Sequence, residues 1–62
     1  MRSVTIANGS YTVQADLRDG GAVGLYITGP KGDTIFILIP GPAVAATIGA
    51  LRALGKEAGQ HG

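Results

Sequence analysis

Thr34-Ile35-Phe36-Ile37-Leu38-Ile39-Pro40-Gly41-Pro42-Ala43-Val44-Ala45-Ala46-Thr47-Ile48 is the stretch on which the fold turns. Its first six residues are largely β-branched and aromatic and are apolar at both alternating sets of positions, the pattern of a strand covered on two sides. Pro40-Gly41-Pro42 ends that strand, and the residues beyond it are rich in alanine. Proline suits the first turn of a helix, where its missing N–H leaves no bond unmade. Val44, Ile48 and Leu51 then recur at helical spacing, and Arg52 and Lys56 fall in later turns, where cations complement the helix dipole. The pattern predicts a strand over 34–39, a helix over about 42–57 and a frayed tail over 58–62. The uncharged run from Thr34 to Leu51 approaches the length of a membrane span. The prolines divide it into two elements of different composition, so no membrane segment is expected.

Upstream of this stretch the chain alternates with period two. Residues 3–7 read as a strand, and Asn8-Gly9 is a hairpin signal in which both turn positions tolerate positive φ. Residues 10–17 form the second strand, with Tyr11, Val13, Ala15 and Leu17 on one face and Thr12, Gln14 and Asp16 on the other. Arg18-Asp19-Gly20-Gly21 makes a turn into a third strand over 22–28. That strand places Val23, Leu25 and Ile27 opposite Gly24, Tyr26 and Thr28. Gly29-Pro30-Lys31-Gly32-Asp33 is the last turn before the fourth strand. The order is β-β-β-β-α, an α+β single domain over 1–62: a four-stranded antiparallel meander with one C-terminal helix expected to cover one sheet face. By strand parity Tyr26, Phe36 and Leu38 lie on the other face, which a single helix leaves open. An apolar patch of that kind marks an interaction site.

Size sharpens the point. A chain of 62 residues buries only about 60% of the surface its unfolded form exposes, and such domains lean on disulfides, metals or oligomerisation. The sequence has no cysteine and a single histidine, His61, so neither a disulfide nor a thiolate or paired-imidazole metal site is available. Oligomerisation remains, and a homodimer is expected. Its interface residues are expected to be Tyr26, Phe36 and Leu38 together with Val44, Ile48 and Leu51. The helix also carries Ala45, Gly49 and Ala53 at four-residue intervals, small enough for close approach to a neighbour.

The chemistry-bearing inventory is thin. Ser3 and Ser10 have no histidine in their segments to serve as a base, and Asp19 and Asp33 sit in turns, where carboxylates cap backbone amides. No enzyme, no cofactor and no metal is expected. Five cations against four acids leave a net charge of +1, short of the basic stripe of a nucleic-acid binder. Arg18, Lys31 and Tyr26 are the residues that would contact nucleic acid if the sheet bound a single strand. Gly29-Pro30-Lys31-Gly32 resembles a backbone-clamping loop only in its glycine spacing, since here it joins strands and not helices. The N-terminal residues carry no apolar signal run, so a cytoplasmic location is expected.

The layout from Tyr11 to Ala53 resembles the BldB-like family of short actinobacterial regulators, whose biochemical function is unknown. The resemblance is carried by the strand Thr12-Val13-Gln14-Ala15, the Asp19-Gly20-Gly21 turn, Val23-Gly24, the turn from Gly29 to Asp33, and Ala43-Val44-Ala45-Ala46-Thr47-Ile48-Gly49-Ala50-Leu51-Arg52. The family's tryptophan at the place of Val44 and its second-strand cysteine are absent here. The resemblance implies self-association and a regulatory role in transcription, often beside a helix-turn-helix protein. The element order is also similar to the PC4-like fold, which implies single-stranded DNA binding as the alternative function. A small inhibitor of a larger host complex is a further alternative that the size accommodates.

Overall fold

The computed structural model describes residues 2–61, with the element order β1 (Arg2–Asn8), β2 (Tyr11–Leu17), a single 3-10 turn (Asp19–Gly21), β3 (Val23–Thr28), β4 (Thr34–Ile39) and α1 (Gly41–His61). The four strands form one antiparallel sheet in the order β1-β2-β3-β4. Fold class and element order are those the alternation predicts.

The turns set the register. In the first hairpin Asn8 pairs with Tyr11, which leaves Gly9 and Ser10 as the loop. Gly9 has φ 61, and among the described residues no non-glycine residue has positive φ. The loop is therefore the glycine-first pattern of a type II′ turn and not the expected Asn8-Gly9 type I′ turn. The shift moves each pairing by two residues, so every side chain keeps its face. In the second connection Gly20, at φ 80 and ψ 7, takes the second central position of a type II turn, which only glycine fills without strain. Arg18 and Gly21 close it through a bond from Gly21 N–H to Arg18 O at 3.2 Å, and Arg18 N–H reaches Ala22 O at 2.8 Å. The third connection is a turn from Gly29 to Gly32, with Gly32 N–H donating to Gly29 O at 3.0 Å.

Two expectations about the helix need correcting. It does not stop near residue 57 but runs to His61. Ala58 and Gln60 are good helix formers, and no proline follows to end it. Of the expected tail only Gly62 lies outside the described residues. More consequentially, α1 does not cover a face of the sheet. A single residue, Pro40, separates Ile39 from Gly41. Strand-to-helix loops that turn a helix back over its sheet usually run 2–6 residues. The helix instead leaves the end of β4 and touches the rest of the chain through its first two turns. Gly41, Ala43, Val44 and Thr47 are half-buried, and every residue from Ile48 to Gln60 is exposed. Its start rests on the β2–β3 turn, where a Cβ on Gly41 would lie 2.8 Å from the Gly20 carbonyl oxygen.

The result is an open shape. The radius of gyration is 12.5 Å, against about 10.6 Å for a compact domain of this length. Among the described residues no hydrophobic side chain is buried; Gly24 alone reaches full burial.

Candidate interaction surfaces

Strand parity and register sort the sheet into two unlike faces. One carries Val4 and Ile6 of β1, Tyr11, Val13, Ala15 and Leu17 of β2, Val23, Leu25 and Ile27 of β3, and Ile35, Ile37 and Ile39 of β4. Arg2 and Asn8, at the two ends of β1, are its only strongly polar members. Ile6, Ile35 and Tyr11 are 64%, 59% and 54% exposed, so this aliphatic face has no cover from the described residues. The sequence assigned Ile35, Ile37 and Ile39 to a surface beneath the helix; the structure leaves Ile35 and Ile37 exposed and Ile39 half-buried.

The second face is mixed. It carries Ser3, Thr5, Thr12, Gln14, Asp16, Gly24, Tyr26, Thr28, Thr34, Phe36 and Leu38. Asp16 and Gly24 are opposite one another, and so are Tyr26 and Phe36. Absence of a side chain at Gly24 lets the Arg18 side chain lie flat on the sheet: a Cβ there would sit 2.6 Å from Arg18 Nε. Arg18 Nη2 donates to Tyr26 Oη at 2.8 Å. The guanidinium carbon stands 5.4 Å from the centre of the Phe36 ring, within cation–π range. The Tyr26 and Phe36 rings are 4.8 Å apart and tilted by 43°. Arg18 Nε is enclosed and has no hydrogen-bond acceptor.

The expected sites therefore divide. Tyr26, Phe36 and Leu38 share one face, and Arg18 joins them there. Lys31 lies in the β3–β4 turn at the other end of the strands, remote from the origin of Arg18 beyond β2. A base stacking on Phe36 would meet the guanidinium already over that ring. Val44, Ile48 and Leu51 form a stripe along α1, with Leu54 beside it; Leu51 and Leu54 are each 62% exposed and Ile48 49%. Sequence reasoning missed Gly24 as the seat of Arg18. Its signal was a lone glycine inside a strand, which often marks close approach by another group.

Asp16 is the group whose acidity the fold changes. Gln14 Nε2 donates to its Oδ1 at 2.9 Å and Ser3 Oγ at 2.7 Å. These two bonds, Gln14 first, and then the attraction of Arg18 hold its pKa below the usual carboxylate value. A depressed carboxylate stabilises the fold at pH values above its unfolded pKa, and that contribution disappears as pH falls through the lowered folded value. Asp16→Asn is expected to flatten the loss of thermal stability as pH falls below about 5, through the unfolded and then the lowered folded value. Equal slopes for variant and parent in thermal melts would remove Asp16 from the acid response.

Among the described residues no group of three or more His, Cys, Asp or Glu side chains is placed to hold a metal ion, and no helix is long and apolar enough to cross a membrane. No family model matches the chain, and no curated protein or solved structure is found similar to it.

Proposed function

We propose that the chain is a non-enzymatic homodimeric interaction module with a regulatory role, completed only when a second copy covers its apolar surface. One observation carries the dimer: a folded chain whose described residues bury no hydrophobic side chain. Apolar burial is the main favourable term in folding and must offset roughly 1–2 kcal/mol of backbone entropy per residue. A monomer of this shape leaves that term largely unspent.

The regulatory half comes from the BldB-like layout, and it names a helix-turn-helix protein as the kind of partner the dimer would hold. The inventory of the mixed face supports an interaction role over catalysis. It has one carboxylate, engaged by Ser3 and Gln14, and one guanidinium, engaged by Tyr26.

Sedimentation velocity or native mass spectrometry at micromolar concentration is expected to give a species of twice the 6.2 kDa chain mass. A monomer with a sharp thermal transition and fully dispersed amide resonances would overturn the proposal.

A further inference from the structure

Resting on the dimeric state just proposed, we infer that the aliphatic face of each sheet is covered by the C-terminal helix of a second copy, the two chains exchanging helices about a two-fold axis.

Area says how much must be covered. The chain exposes 4901 Å². A compact monomer of 6.2 kDa exposes about 3,700 Å² by the scaling of surface with mass. The excess, about 1,200 Å² per chain, falls within the roughly 1,000–2,500 Å² per subunit of obligate homodimers and above the ~800 Å² of a standard interface. The surplus therefore has the size of an obligate contact.

Complementarity says what covers it. The chain has two unpartnered apolar surfaces, the aliphatic sheet face and the Ile48, Leu51 and Leu54 stripe. Sheet-against-sheet pairing would cover the first and leave the second in water. A helix laid on the partner's sheet covers both in one symmetric operation, as an isologous contact requires. Lengths agree as well. The free helix from Ile48 to Gln60 is about 20 Å long at 1.5 Å per residue, and strands of six or seven residues run about 20–23 Å. Charges are compatible: by the 3.6-residue period Lys56 projects away from the stripe, and Arg52 and Glu57 flank it, where long side chains can reach water. The mixed face is the poorer choice, because covering it would take Asp16, Gln14 and Arg18 out of water.

The chain's own helix cannot do this work in place of the partner's. Pro40 alone joins it to β4, and its start is seated on the Gly20–Gly21 carbonyls.

The absence of cysteine makes the arrangement testable with single thiols in the full chain. Val13→Cys is expected to react with a maleimide about tenfold more slowly in the native dimer than in urea, the protection a buried position gives. Thr12→Cys, its neighbour on the mixed face, should react nearly as fast folded as unfolded. Chains carrying Val13→Cys and Leu51→Cys, refolded together and oxidised, should give the mixed disulfide. Ile37→Cys replaces Val13→Cys if that variant loses its dimer mass, and the same results are expected of it. A dimeric parent in which Thr12→Cys is protected and Val13→Cys is not would overturn the inference and spare the dimer. A disulfide between two Val13→Cys chains in preference to the mixed one would also overturn it, in favour of sheet-on-sheet pairing. A folded monomeric parent removes both.

Discussion

Leu25→Lys is expected to abolish the cooperative unfolding transition at micromolar concentration, while Thr5→Lys leaves it within about 0.5 kcal/mol of the parent. Leu25 sits in the inner strand β3, paired with Ala15 on one side and Ile37 on the other, at the middle of the aliphatic face. A lysine there puts an ammonium where the proposed partner helix would seat. Under a seated helix it would lose contact with water, and no carboxylate shares the face to meet it. An unpaired buried charge costs several kcal/mol. The whole stability of a chain this length is roughly 3–9 kcal/mol. The first quantity therefore consumes most of the second. Thr5 lies on the mixed face of the edge strand β1, opposite Gln14, where a lysine side chain stays solvated. Circular dichroism melts with sedimentation on the same samples decide the matter. Similar transitions for both variants would show that neither face is buried.

The second large effect has two signs. Gly41→Ala should lower stability by about 1–2 kcal/mol, and Gly49→Ala should raise it by about 0.5–1 kcal/mol. The chemical change is identical, and intrinsic helix propensity favours alanine in both cases. At Gly41 the new methyl would stand 2.8 Å from Gly20 O and 3.4 Å from Gly21 C. Those are backbone atoms and cannot rotate aside. The turn that holds them is itself fixed by Gly20 and Gly21 at φ 80 and 79, so the helix start must move. At Gly49 nothing lies within 4 Å, and by helical period the methyl projects away from the Ile48–Leu51 stripe. With about 4–8 °C per kcal/mol for a domain of this size, thermal melts separate the two variants easily. A rise for both would mean that the helix start is not seated on the turn.

Much of this architecture is written locally. The alternation in Tyr11–Leu17 and Val23–Thr28 assigns each side chain to its face, and glycines at 9, 20 and 32 mark the reversals because each holds positive φ. Thus strand order and face composition are readable from neighbours in sequence. The direction of α1 is not. Pro42 announces a helix and Val44, Ile48 and Leu51 announce its apolar side, but neither tells where the axis points after Pro40. That depends on a contact between Gly41 and a turn twenty residues earlier, which no periodicity records. The apolar run in β4 is ambiguous in the same way. Ile35, Ile37 and Ile39 are equally consistent with cover by this chain's helix or by another's, and the first was the natural expectation. The Arg18 cluster failed to show for a related reason, since it needs Gly24 to be level with Asp16 and Leu38 across two ladders.

The single-residue link at Pro40 also governs how the molecule forms. All three strand pairs join neighbours in sequence, so each hairpin is a local event on the microsecond scale. Nothing within one chain then locks the sheet, because the helix cannot return to it. If the proposed dimer forms, the step that commits the protein to its native state is an encounter between two chains. On that proposal refolding should accelerate with protein concentration and the melting temperature should rise with it.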